Sequence, residues 1–337
     1  MKQLQAEELG INAAQHFNIT PVSQTSTARS RHNRPIALSV AVAVLAGLAL
    51  AGPALAGPHP DGEHYTFTSV EYPGATYTDL LGLSAQTMVG VFFDTDGNSH
   101  GWLLPLHHGH FEQFDVPGAW STSLSAINNR GDFGGVYRDD VNFPLRRHGF
   151  LVVKGVLKTI DYPGSTRTTI VQVNEQGQAA GIGRIPSEGP NTPYGFIWKN
   201  GVFTSVSFPG AFGTGLNGIN EQGDVCGFTT DELGGLTHAM MRLNGVFKHI
   251  EPAGATDSIA TAINDRGEVV GWYNDIEGNT HGFLYYKGVF TTIDWPGALG
   301  SELTTISNDG VLTGDYVPAD GIERGFIATL KDEHGRD

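Results

Sequence analysis

"HGFLYYKGVFTTIDWPGA", His281 to Ala298, restates almost word for word "HGFLVVKGVLKTIDYPGS", His148 to Ser165. The glycine of the linker phrase sets the spacing. It recurs at Gly74, Gly118, Gly164, Gly210, Gly254 and Gly297, with gaps of 44, 46, 46, 44 and 43 residues. Such a period belongs to propeller blades or helix-pair solenoids. No segment keeps a 3.6-residue apolar period, and Gly and Pro punctuate all of it, so helical solenoids are set aside.

Outward from the quoted phrase, one period reads as four strands. They are "DSIATAIN" (Asp257–Asn264), "EVVGWY" (Glu268–Tyr273), "HGFLYYK" (His281–Lys287) and "VFTTID" (Val289–Asp294). The hairpin glycine before the fourth strand recurs at Gly109, Gly155, Gly201, Gly245 and Gly288. Twice it follows Asn (Asn200, Asn244), the pair that favours a two-residue type I′ turn. The turn after the first strand reads N-x-x-G-x-x-x-G from Asn128, Asn174, Asn220 and Asn264, with Ser307 replacing Asn.

Four strands in each such period form a propeller blade. The ends are complementary: "HYTFTSVEYPG" is a fourth strand without its first three, and "RGFIATLK" is a third strand without its fourth. The expected fold is an all-β, closed six-bladed β-propeller of four-stranded blades over residues 64–331. The N-terminal strand, His64–Tyr72, would complete the last blade beside Gly325–Lys331 and leave no open edge.

The phrases "GFLYYKGVFTTIDWPGA", "AINDRGEVVGWY" and "GNTHGF" resemble the HAF-type extracellular repeat of bacterial proteins. The likeness covers nearly all of residues 64–331. It implies export and a propeller-like fold, with no established reaction or catalytic residues. The departures are Ala253 for Pro, Ser207 for the acid, and His238-Ala239-Met240 for His-Gly-Phe.

The first 56 residues differ in kind. Arg29, Arg31 and Arg34 precede an apolar run, Ile36 to Ala51, and Ala54-Leu55-Ala56 follows. Positive flank, short apolar core and A-x-A site read as an export signal. The expected layout is a cleaved leader over 1–56, a linker over 57–63 and a tail over 332–337, in a secreted or periplasmic protein. The alternative is a membrane anchor through residues 36–51, although that run is short for a span. The formal charge is −15, and loss of the leader's four basic and two acidic residues leaves about −17. Such acidity disfavours nucleic acid and anionic membranes. Cys226 is the single cysteine, so it has no disulfide partner within the chain. The chain is expected to be a monomer.

Residues repeated from period to period read as architecture. These are the acids before the linker (Glu71, Asp115, Asp161, Glu251, Asp294), the histidines before Gly-Phe (His100, His148, His238, His281) and the turn asparagines. The acids are expected to accept from N–H groups of the Pro-Gly turns. Breaks in the repeat are the candidates for chemistry. Asp79, Asp257 and Glu302 begin first strands and are expected to converge at the channel mouth. There they could hold a hard cation such as Ca²⁺ or act as an acid/base pair. Arg146, Arg147 and Arg167 could hold an anionic ligand such as a carboxylate or uronate. "DTDGNSH" (Asp94–His100) has the opening of a calcium loop without its distal glutamate, and "HHGH" (His107–His110) groups imidazoles. The functional expectation is a non-catalytic exported scaffold that recognises a glycan, peptide or surface ligand. The alternative is a metal-assisted hydrolase or lactonase at the channel mouth.

Overall fold

The computed structural model describes residues 64–107, 109–139, 146–185, 192–231 and 235–331. The expected leader, linker and tail lie outside these, as do His108 and residues 140–145 of the long arginine-bearing loop. Every named element among the described residues is a β-strand, β1 to β24. The arrangement is all-β and propeller-like.

Each period folds as an antiparallel meander. The first is β2 (Tyr77–Leu83), β3 (Thr87–Phe93), β4 (Ser99–Pro105) and β5 (Glu112–Phe114), and later meanders open with β6 (Ser121–Ile127), β10 (Arg167–Val173), β14 (Gly213–Ile219), β18 (Asp257–Ile263) and β22 (Gly300–Ile306). The meanders of β10 and β14 are merged into one eight-stranded sheet by a single parallel pair, Tyr194 with Thr214. The last sheet runs β22, β23 (Leu312–Val317), β24 (Arg324–Leu330) and then β1 (Tyr65–Val70). β1 pairs antiparallel with β24 from Tyr65 opposite Leu330 to Val70 opposite Gly325.

Local chemistry explains the meander. In the outer hairpins Lys154, Asn200, Asn244 and Lys287 have φ near 50°, each followed by a positive-φ glycine. That is the type I′ geometry whose twist matches the strands it joins. Every first strand carries a β-bulge at the same place, for example between Leu216 and Gly218 in β14. The second glycine of N-x-x-G-x-x-x-G lies against this strand. A Cβ on Gly227 would fall 2.0 Å from the Gly215 carbonyl oxygen, and one on Gly271 2.0 Å from that of Ile259. The two strands approach too closely there for any side chain.

The core lies between neighbouring sheets. Trp102, Phe150, Phe196, Phe283 and Phe326, the third residue of the H-G-F phrase or its equivalent, are wholly buried. Each stabilises by roughly 2–3 kcal/mol relative to exposure. Two sets of polar bonds also cross between sheets. Where the residue at the bulge is polar, it donates to a carbonyl of the next first strand: Ser125 to Ile170 (2.7 Å), Asn217 to Ala260 (3.0 Å) and Thr261 to Leu303 (2.7 Å). Thr304 in β22 makes this bond to Leu80 in β2 (2.6 Å). At the other end of the strands, the N-x-x-G asparagines form a belt. Asn128 donates to Asn174, Asn174 to Asn220, Asn220 to Asn264 and Asn264 to Ser307, each through Nδ2 to a backbone oxygen at 3.0–3.2 Å. Each asparagine also caps its own turn through Oδ1, so one residue serves turn and neighbour together.

Candidate functional site: the linker end of the strands

The sheet-to-sheet linkers and the loops between second and third strands share one end of the structure. The repeated histidines join them. His281 places Nδ1 2.7 Å from Asp294 before the linker, and Nε2 3.3 Å from Asp275 in the loop. His100 bridges Asp115 (2.9 Å) and Asp94 (3.4 Å) in the same way. His148 spans Asp161 and Asp139, and His238 spans Glu251 and Asp231. Arg324 replaces histidine in the last sheet and still bridges two acids, Glu71 and Asp320. For His238 and His281, burial opposes the charge but the flanking carboxylates outweigh it and raise the imidazole pKa.

This corrects the role expected of the acids. Four of the five bind the histidine of their own sheet, and Glu71 binds Arg324. The N–H that follows the acid, or Ser207 in its place, is met instead by a hydroxyl in the next first strand. Tyr72, Val116, Tyr162, Phe208 and Trp295 donate to Thr78, Thr122, Thr168, Thr214 and Ser301 at 2.9–3.1 Å. The remaining member of the series proves the rule. Pro252 has no N–H, and the corresponding Ser258 accepts from Ala239 instead (3.0 Å). These hydroxyls recur in every period, a signal the sequence contained.

The calcium-like stretch is a turn. Asp94 accepts from the backbones of Asp96 and Asn98 and from the Asn98 amide, and Asp275 makes the same set with Glu277 and Asn279. These bonds, the Asn98 amide foremost, hold the Asp94 carboxyl down to about 2. Among the described residues, no three His, Cys, Asp or Glu side chains are grouped so as to hold a metal ion.

Strand register redraws the expected carboxylate trio. Asp257 begins β18 and accepts from the Thr237 N–H (2.8 Å) and hydroxyl. Its register equivalent in β2 is Tyr77, two residues before Asp79, so Asp257 stands at a different level of the strand. Asp79 and Glu302 act on each other through their charges, and two unforeseen acids do so as well. Asp315 lies directly opposite Glu302 across β22 and β23. Its Oδ1 accepts the Leu80 N–H at 3.0 Å, from 235 residues away. Glu323, in the loop before β24, accepts from the Thr78 N–H through its carbonyl. Asp79 and Asp315 are 3% and 5% exposed, and Asp79 Oδ1 has no hydrogen-bond partner. Burial, then mutual repulsion, raises Asp79, Glu302 and Asp315 well above the carboxyl range, and burial takes Glu323 up to about 7. The Tyr77 hydroxyl beside Asp79 and Glu323 works the other way. Asp315 was visible as a break in the repeat. After the second glycine of the turn motif, the other periods have buried Val91, Val136, Ile182, Phe228 and Trp272.

The arginines form a second group. Arg167 opens β10, pairs across the strands with Arg184 and forms a parallel bridge with Arg147. Arg147 is buried, Arg167 half-buried and Arg146 exposed. Burial, then the charge of Arg167, lowers Arg184 to about 10. Arg138 donates to Ser121 (2.9 Å) and lies 4.7 Å from the ring centre of Trp120, which is 39% exposed. Arg138, Arg184 and Trp120 extend the predicted set of Arg146, Arg147 and Arg167.

Half of the exposed large apolar side chains among the described residues lie at this end; Val153, Val156, Val202, Val246, Val289 and Leu330 lie at the outer-hairpin end. Trp120, Phe212 and Leu299 follow the linker phrase, and Leu236, Ile276 and Ile322 lie in the second-to-third loops. A cavity of about 140 Å³ between Thr280, His281, Asp294, Leu299 and Ser301 is far below the ≈ 300–1,000 Å³ of an enclosed small-molecule site.

No protein-family model matches the chain, and no curated protein matches it. Solved structures resemble it in fold. TolB from Acinetobacter baumannii is 13% identical with a TM-score of 0.44, covering 77% of this chain, which spans only 54% of that one. The putative TolB from Agrobacterium tumefaciens is 12% identical with a TM-score of 0.49, covering 76% of this chain and 90% of its own. The β-propeller domain of the Trilobed protease from Pyrococcus furiosus is 11% identical with a TM-score of 0.47, covering 77% of this chain and all of its own. Among the described residues, no helix is long and apolar enough to cross a membrane.

Proposed function

We propose that residues 64–331 form a closed six-bladed propeller of the HAF-type repeat class, exported through its leader, and that it is a non-catalytic recognition scaffold. Its ligand, a glycan, peptide or surface component, docks on the linker end. The closed ring is supported by the bond from Thr304 to Leu80, which repeats between last and first strands the bond made between consecutive ones. The observation that carries the function is what the linker end exposes. The repeated His, acid, Asn and hydroxyl residues are engaged with one another, whereas the exposed aromatic rings of Trp120 and Phe212 stand at the linkers, Trp120 against Arg138, in a chain of formal charge −15. Arg146, Arg147 and Arg167 with Arg184 suit a carboxylated ligand, and Trp120 offers a flat apolar platform.

The test is binding of the chain from residue 57 onward to immobilised polygalacturonate, alginate and neutral maltohexaose. Carboxylated glycans should bind, more weakly in higher salt, and Arg167→Glu and Trp120→Ala should each lower affinity at least ~10-fold with folding unchanged. Binding that is indifferent to both substitutions would place the ligand elsewhere and sink the reading.

A further inference from the structure

The carboxyl group between β2 and the last sheet has no part in that recognition, and its position is unusual. In five periods, the residue after the second turn glycine is apolar and buried; in the sixth it is Asp315. It faces Glu302 directly across the ladder, where like charges destabilise. It also accepts the Leu80 N–H, so the acid is part of the contact between first and last meanders. Asp79 adds a buried oxygen, Oδ1, without a partner, a costly state for a charged carboxylate.

Among the described residues, the ionisable side chains that act on these carboxyls are other acids and Tyr77. β2 contributes Tyr77 and Asp79, β22 Glu302, β23 Asp315 and the loop before β24 Glu323. Across the ladder from β2 are Phe93 and Val91, and across from Asp315 is Gly325. Arg324 is turned to Glu71 and Asp320, and Asp257 on β18 to Thr237. β6, next to β2, has Ser121, Ser123 and Ser125.

We propose that this junction is a proton-held latch: β2 stays against β22 and β23 while the buried carboxyls carry protons, and an alkaline medium strips those protons and forces the junction apart by repulsion. A neutral Asp79 carboxyl leaves no charge on the buried, partnerless Oδ1. The sign is fixed by linkage. Between the ordinary carboxyl range and their raised folded values, these groups hold more protons folded than unfolded. Stability therefore falls as pH rises through that window.

The latch rests on the closed-ring reading, and one experiment separates the two. Thermal unfolding of the full chain is followed from pH 5.5 to 9.5 in wild type, Asp315→Asn, Glu302→Gln and His281→Gln, with hydrogen exchange of Tyr65–Val70 and Tyr77–Leu83. Wild type should lose roughly 5–10 °C in Tm over the alkaline half. Glu302→Gln, which keeps the Leu80 acceptor, should lose less than half as much, and Asp315→Asn likewise if it folds. His281→Gln should retain the greater part of the decline, since it leaves the carboxyls intact. Protection of both segments should be high at pH 5.5 and fall on alkalinisation. Equal pH slopes in wild type and Glu302→Gln would overturn the latch while leaving the ring intact. Unprotected Tyr65–Val70 at every pH would overturn both. A Tm rise with millimolar Ca²⁺ in wild type but not in Glu302→Gln would make the cluster a cation site and not a proton latch.

Discussion

The Thr304 hydroxyl donates to the Leu80 carbonyl at 2.6 Å, across more than two hundred residues of chain. Thr261 gives the same bond to Leu303 at 2.7 Å between consecutive meanders. A local bulge thus becomes a joint between sheets, because the extra residue is left free to reach sideways. Thr304→Val and Thr261→Val should each cost about 1–2 kcal/mol in urea unfolding. A Thr304→Val cost near zero beside a normal Thr261→Val cost would mean that the first and last sheets do not depend on each other.

The histidine bridges give a pH dependence. His281 and His238 are held above the ordinary imidazole pKa by their flanking acids, against the opposing effect of burial. Their stabilisation is full below the unfolded pKa of about 6.5 and is lost as pH rises through the folded values. Both bridges are partly exposed, so each is worth at most about 1 kcal/mol. NMR titration of the imidazoles checks this: His281 should titrate above a peptide histidine, and Asp294→Asn should lower it. An unshifted His281 would refute the bridge.

Asn220 holds its own turn through Oδ1 and the next turn through Nδ2. Asn220→Ala should cost about 2–4 kcal/mol, more than the usual loss of one hydrogen bond. A cost under ~1 kcal/mol by denaturant titration would show that water replaces the belt.

At Gly227 the backbone of β14 leaves no room for a Cβ. Gly227→Ala should cost at least ~3 kcal/mol, because a backbone atom and not a flexible side chain must move. Gly223→Ala is the comparison. It has open space but a φ of 80°, so it should cost about 1–2 kcal/mol from strain alone. Equal costs in chemical denaturation would discount the close approach.

Much of the meander was legible because its causes are local. Positive-φ turn pairs, alternating strands and a glycine-anchored period are each read within a few neighbouring residues. The rest depended on register. The acid at Asp294 and the histidine at His281 lie 13 residues apart, and only strand pairing shows that they face each other rather than the Pro-Gly turn. Asp257 looked like a companion of Asp79, but it begins its strand where Tyr77 does. In a strand, a two-residue offset keeps the face but moves the side chain along it.

By itself the sequence determined the period, the four-strand unit, the type I′ hairpins and the separation of repeated architecture from the places that break it. Those follow from φ/ψ restrictions and binary patterning, which act over short spans. The tertiary structure alone decided which breaks meet. Asp315 reaches Leu80, stands opposite Glu302 and feels the charge of Asp79 because β22 and β23 pack against β2, and Arg184 reaches Arg167 through one antiparallel register. Charge and burial act through space, so a residue's chemistry waited on the neighbours that folding brought to it.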